Sequence, residues 1–194
     1  MDLSFEIAQT LNYIFDNSKE GNAASVLKAF DEIGDKLWIM TVGDNKGKMV
    51  VDQLTKHNPK IGVELGTYIG YSAVMFDPIM VSVAAKVVEF SGLRDYVTIL
   101  RGDLAKNIPI LKQKYKVENA DFMFIDQMKD LYTSDFVLAE QSGLFNKDTL
   151  IVADNIKSPG APEFLAFMEQ NNKYKFELKD AKSVTFDIEL LMQS

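Results

Sequence analysis

Apolar residues at Leu3, Ile7, Leu11, Ile14 and Phe15 return every three or four positions, the spacing that lines one face of a helix. Val26, Phe30, Ile33 and Leu37 repeat it, so the chain opens on two amphipathic helices. Segment 12–22 includes a polar stretch ending in Gly21-Asn22, which reads as the turn between them. After Gly43-Asp44-Asn45-Lys46-Gly47, a third helical pattern carries Val50, Val51 and Leu54, and Pro59 marks its boundary.

From residue 61 the texture changes to short apolar runs, 61–65, 97–100, 121–125 and 149–153, separated by helical segments. Buried runs that alternate with helices predict an α/β fold with a parallel sheet covered on both faces. Near the C-terminus, runs 174–178 and 184–191 lie only a few residues apart. A connection that short makes a hairpin and leaves no room for a crossover helix, so the last strand pair should be antiparallel.

The chain of 194 residues is 47% hydrophobic and 25% charged, the balance of one folded domain with N-terminal helices over 1–58 and an α/β core over 59–194. The net charge of −7 and the lack of a Lys/Arg stripe argue against nucleic acid, which demands a basic surface. No apolar run approaches the roughly 20 residues that cross a bilayer. The opening Met1-Asp2-Leu3-Ser4-Phe5-Glu6 has neither the basic start nor the apolar core of a signal peptide, so a cytoplasmic protein without membrane partners is expected. With no cysteine, thiolate metal sites are excluded by count, and the single histidine, His57, excludes His-based metal clusters.

Three segments carry chemistry. Glu64-Leu65-Gly66 and Gly70 follow the first predicted strand, where open α/β sheets bind nucleotides and glycine lets backbone approach a ligand. An acidic residue ahead of Gly-x-x-x-Gly suits a cationic group better than a pyrophosphate. The strand at 121–125 runs into Asp126-Gln127-Met128-Lys129-Asp130, and the strand at 149–153 into Asp154-Asn155. Two carboxylates and a carboxamide at neighbouring strand ends are hard oxygen ligands of the kind Mg²⁺ takes. Taken singly, Asp126 and Asp154 are as well explained as helix caps, and Lys129 as a solvated helix-start residue.

Glu64-Leu65-Gly66-x-x-x-Gly70-Tyr71-Ser72, Gly43-Asp44-x-Lys46-Gly47, Asp126-x-x-Lys129-Asp130 and Ala153-Asp154-Asn155-x-x-x-Pro159-Gly160-Ala161-Pro162 together resemble the catechol O-methyltransferase family in content, order and spacing. The resemblance implies a Rossmann-like class I methyltransferase sheet and methyl transfer from S-adenosylmethionine to one hydroxyl of a small-molecule catechol. It implies that Asp126, Asp154 and Asn155 hold Mg²⁺ and that Lys129 is the general base. It also implies that Met40, Val42, Glu64, Gly66, Tyr68, Ser72 and Asp126 surround the cofactor, while Trp38, Lys129, Asn155 and Pro159 meet the substrate. In such an enzyme the metal favours ionisation of a hydroxyl that is otherwise a poor nucleophile, and the site aligns it with the sulfonium methyl.

The pattern departs from the family in four places. Residues 71–77 are too few for the strand whose acidic end binds the ribose hydroxyls, and Asp77-Pro78 reads instead as a helix start. Gln127-Met128 stands where members carry His-Trp, and Asp103-Leu104-Ala105 replaces polar side chains beside adenine. Segment 180–184 is short for the loop that carries a glutamate against the second catechol hydroxyl. These departures keep two alternatives open, a related phenolic-ester O-methyltransferase and a non-catalytic S-adenosylmethionine-binding protein.

Overall fold

A computed structural model describes residues 3–37, 39, 41–66, 78–179 and 188–192. Residues 71–77 and 180–187, where the sequence departs from its family, lie outside the described residues. The chain forms two compact units, Met1–Asp44 with Thr67–Leu100, and Asn45–Gly66 with Arg101–Ser194.

The first unit contains α1 (Leu3–Asn17), α2 (Ala23–Gly34) and a later helix over Pro78–Phe90. Ile7, Ile14, Val26, Ala29, Phe30, Val83 and Val87 make its core. The first helix runs on to Asn17, and Ile14, expected on its apolar face, is fully covered. The turn is confined to 18–22, where the Asn22 side chain accepts from Ser25 N and caps α2. Segment 97–100 is not a strand. Val97 N donates to Leu93 O in a turn, and Val97 remains 42% exposed beside Tyr96 at 86%, so this apolar run is not taken into a sheet.

The second unit is built on a five-stranded sheet in the order β1-β2-β3-β5-β4. Strands β1 (Gly62–Leu65), β2 (Phe122–Ile125) and β3 (Leu150–Asp154) are parallel, as the alternation of short apolar runs and helices predicts. β5 (Ile188–Met192) runs antiparallel to β3 and to β4 (Lys175–Glu177), which bears out the antiparallel C-terminal pair. Helix α3 (Gly43–His57) begins at Gly43, so residues 43–47, which precede the expected helical pattern, form its first turns. Gly47 there disfavours helix by about 1 kcal/mol relative to alanine. Lys46, tied through its ammonium to Asp154, holds these turns in place. In chain order the helix at Pro78–Phe90 is α4, followed by α5 (Leu104–Gln113), α6 (Tyr132–Gln141) and α7 (Pro162–Glu169). Asp103 caps α5 by accepting from Lys106 N.

Alternate positions of β2 and β3, Met123 with Ile125 and Ile151 with Ala153, enter one apolar cluster with Tyr132, Phe136 and Ala139 of α6 and Phe164 and Met168 of α7. Phe136 is its hub, with ring centroids 5.1 Å from Phe145, 5.5 Å from Phe164, 5.8 Å from Phe167 and 5.1 Å from Tyr174. Edge-on ring pairs add to the area that each ring buries. Among the described residues no helix is long and apolar enough to cross a membrane. Phe136→Ala should lower the unfolding free energy by about 3–5 kcal/mol, since the surrounding rings cannot collapse fully into the space left behind. Urea unfolding followed by circular dichroism measures this, and a loss under about 1 kcal/mol would show that the cluster is loosely packed.

Candidate active site

Strand register builds the site. Leu65 pairs with Ile125 and Ile125 with Ala153, so the next residues along, Gly66, Asp126 and Asp154, line up across the carboxyl ends of three adjacent parallel strands. Gly66 sits there because nothing larger fits. Its φ is +101°, and an added Cβ would lie 2.5 Å from the backbone oxygen of Asp126. Asn155 follows β3 in the left-handed region, φ 62°, which asparagine tolerates better than most residues.

Oxygens and ammonium groups then converge. Lys129 Nζ donates to Asp126 Oδ1 at 3.0 Å, to Asn155 Oδ1 at 2.8 Å and to the Tyr132 hydroxyl at 2.7 Å. The Tyr132 hydroxyl donates in turn to the backbone oxygen of Asp154 at 2.9 Å. Asp154 Oδ1 accepts from Lys46 Nζ at 2.9 Å and from Asn155 N at 2.6 Å. Neither aspartate serves as a helix cap, and Lys129, with its side chain 21% exposed, is no solvated surface residue. Asp126 Oδ1 and Asn155 Oδ1 already share one positive charge, so the donor set of two carboxylates and a carboxamide fits a hard divalent cation such as Mg²⁺. No group of three or more His, Cys, Asp or Glu is placed to hold a metal among the described residues.

Electrostatics follow from burial. The Asp126 carboxyl is pushed up to about 6, chiefly because burial disfavours its charge; Lys129 opposes the shift and Asp154 adds to it. Burial also raises the Tyr132 hydroxyl, and the charges of Asp126 and Asp154 raise it further. Glu64, on β1, has protein close around it and Asp126 near by, and its carboxyl is pushed up to about 8. Glu64 nevertheless keeps an exposed face, and water reaching that face works against the shift.

Glu64, Gly66, Asp126, Lys129, Asp154 and Asn155 thus lie on, or directly after, the ends of β1, β2 and β3. Pro159 is exposed on the turn 156–160 after β3, and Val42 is a buried residue of the first unit. Trp38, Met40, Tyr68 and Ser72 lie outside the described residues. Gln127 is buried and donates to Asp135 at 3.1 Å, while Met128 is 41% exposed. Sequence reading gave no role to Tyr132 or Lys46. Tyr132 stands one helical turn after Lys129, a spacing that brings side chains together, and Lys46 belongs to the Gly43-Asp44-x-Lys46-Gly47 motif.

No protein-family model matches the chain. Among curated proteins, the catechol O-methyltransferase of Sus scrofa is 38% identical over 151 residues, covering 70% of this chain and 81% of the relative. The chain belongs to the catechol O-methyltransferase family. The Bos taurus member is 36% identical over 181 residues, covering 85% of this chain and 66% of its own length, so the chain spans just under two thirds of that relative. The fold is shared with the O-methyltransferase TomG of Streptomyces achromogenes, solved in complex with SAM, at a TM-score of 0.72 and 16% identity over 100% of both chains. Family membership and fold agree on a Rossmann-like O-methyltransferase architecture whose strand ends carry the charged cluster.

Glu64 provides a test of these electrostatics. Folded, it keeps its proton at pH values where the unfolded chain has lost it, so its contribution to stability is present below about pH 4.5 and is lost as pH rises towards about 8. Glu64→Gln removes that dependence. The variant should therefore gain stability relative to the parent between about pH 5 and about 8, measured by urea unfolding at each pH. A difference that stays constant across the window would mean that Glu64 ionises like a surface carboxyl.

Proposed function

We propose that this chain transfers the methyl group of S-adenosylmethionine to one hydroxyl of a catechol, with Mg²⁺ held by Asp126, Asp154 and Asn155 and with Lys129 as general base. The observation that carries the reading is the meeting of Asp126 Oδ1, Asn155 Oδ1 and Lys129 Nζ at the ends of adjacent strands. Family membership supports the substrate class, and the fold shared with TomG supports the methyl donor. In the proposed assignment Met40, Val42, Glu64, Gly66, Tyr68, Ser72 and Asp126 contact the cofactor, and Trp38 and Pro159 flank the catechol ring.

S-adenosylmethionine supplies an electrophilic methyl on a positively charged sulfur. When bound, Mg²⁺ supplies a Lewis acid that favours ionisation of the hydroxyl. In the transfer, a lone pair on the hydroxyl oxygen forms the new O–C bond, the C–S electrons pass to sulfur, and the hydroxyl proton goes to Lys129 Nζ. The ammonium that donates to Asp126, Asn155 and Tyr132 has no lone pair, so Lys129 acts as base only after giving one proton to solvent. Tyr132 aims that nitrogen: its own proton is engaged by the Asp154 backbone oxygen, so towards Lys129 its hydroxyl acts as acceptor. Gly66 keeps the ends of β1 and β2 in backbone contact, which sets Glu64 and Asp126 on neighbouring strands.

Lys129→Met should lower kcat on catechols by about 100-fold or more, the usual worth of a positioned base, with S-adenosylmethionine affinity changed by less than about twofold. Methyl-transfer assays and isothermal titration calorimetry separate the two effects, and unchanged turnover would return Lys129 to a structural role. Asp154→Ala should raise the Mg²⁺ concentration for half-maximal activity by about tenfold or more, and chelation should abolish activity in the parent. An unshifted metal titration, or turnover that survives chelation, would remove the cation from the reading.

A further inference from the structure

The Gly43-Asp44-x-Lys46-Gly47 motif takes no part in the reaction proposed above, yet one of its residues is among the most deeply buried charges of the second unit. The Lys46 and Asp154 side chains are each 3% exposed and their charged atoms are 2.9 Å apart, across 108 residues of sequence. A surface ion pair would need no explanation. Taking an ammonium fully out of water is costly, and a buried pair of this kind stabilises a protein no better than well-packed apolar residues do. Stability alone therefore does not account for a lysine here. Both donors recorded for Asp154 among the described residues, Lys46 Nζ and Asn155 N, reach Oδ1, which leaves Oδ2 as the oxygen for another partner.

We propose that Lys46 sets how tightly the oxygen site holds its divalent cation: its charge beside Asp154 Oδ1 keeps the cation loosely bound and exchangeable. The inference rests on the reading of Asp154 as a metal ligand. The Asn155 N–H holds Oδ1 from within the chain, so loss of Lys46 removes a charge more than it removes an orientation. The repulsion relieved is between an ammonium and a divalent ion that share one carboxylate, at a depth where screening by water is weak.

The experiment titrates MgCl₂ into the full chain and into Lys46→Met and Lys46→Arg by calorimetry, with melting temperature followed at each Mg²⁺ concentration. Lys46→Met should melt below the parent without Mg²⁺, because Asp154 has lost its partner, and should gain more from saturating Mg²⁺ than the parent does. Its Mg²⁺ dissociation constant should fall by about tenfold, while Lys46→Arg, which keeps the charge, should match the parent in both readouts. An unchanged or weaker affinity in Lys46→Met would overturn the proposal and leave Lys46 a structural residue, as would a Mg²⁺-induced melting shift no larger than the parent's. If Lys46→Met does not fold alone, refolding in saturating MgCl₂ should recover it, and failure to do so also overturns the proposal. A parent chain that gives neither heat nor melting shift with Mg²⁺ would overturn the metal reading itself, and this inference with it.

Discussion

Two carboxylates, Asp126 and Asp154, stand at the ends of adjacent strands in a largely apolar surround, and buried negative charge has to be met by positive charge or by a proton. Much of the local architecture answers that requirement. Lys129 comes from the turn that follows β2, and Lys46 from the first turn of α3, each within hydrogen-bond reach of one carboxylate. Tyr132 ties the two halves together, accepting from Lys129 while donating to the Asp154 backbone. The turn after β2, the entry into α6 and the glycine-containing start of α3 are held in place by this shared charge balance.

The arrangement stands on an ordinary packed scaffold. Parallel register brings three strand ends level, and the aromatic cluster around Phe136 fixes α6 and α7 against the face of the sheet that carries Met123, Ile125 and Ile151. Gly66 contributes by having no side chain, since a methyl group there would meet the Asp126 backbone. The fold is shared with an O-methyltransferase only 16% identical, while mammalian relatives are 36–38% identical to the chain. Fold survives sequence change that specific chemistry does not, because many apolar residues fill a core equally well whereas few residue types supply a hard oxygen or an ammonium.

Wherever local chemistry decided the outcome, the sequence could be read directly. The periods of α1, α2 and the three parallel strands come from which residues are apolar, and the closeness of the last two runs requires an antiparallel pair. Asp126, Lys129, Asp154 and Asn155 stood out because polar groups of matching kind follow two buried strands. Segment 97–100 misled because a four-residue apolar run has no preference of its own between sheet and loop; only a partner strand decides. Residues 43–47 fell ahead of the helical pattern because they carry no apolar stripe and Gly47 disfavours helix locally, while Lys46 meets its partner, Asp154, 108 residues away.

The sequence by itself determined most of the elements, the α/β class and the polar residues that follow the buried strands, since these depend on side-chain type and short-range spacing. Only the tertiary structure decided which donors meet which acceptors: that Lys129 bridges Asp126 and Asn155, that Tyr132 orients it, and that Lys46 neutralises Asp154. Those pairings depend on strand register and on contacts between residues far apart in the chain, and such distances are fixed only when the whole unit packs.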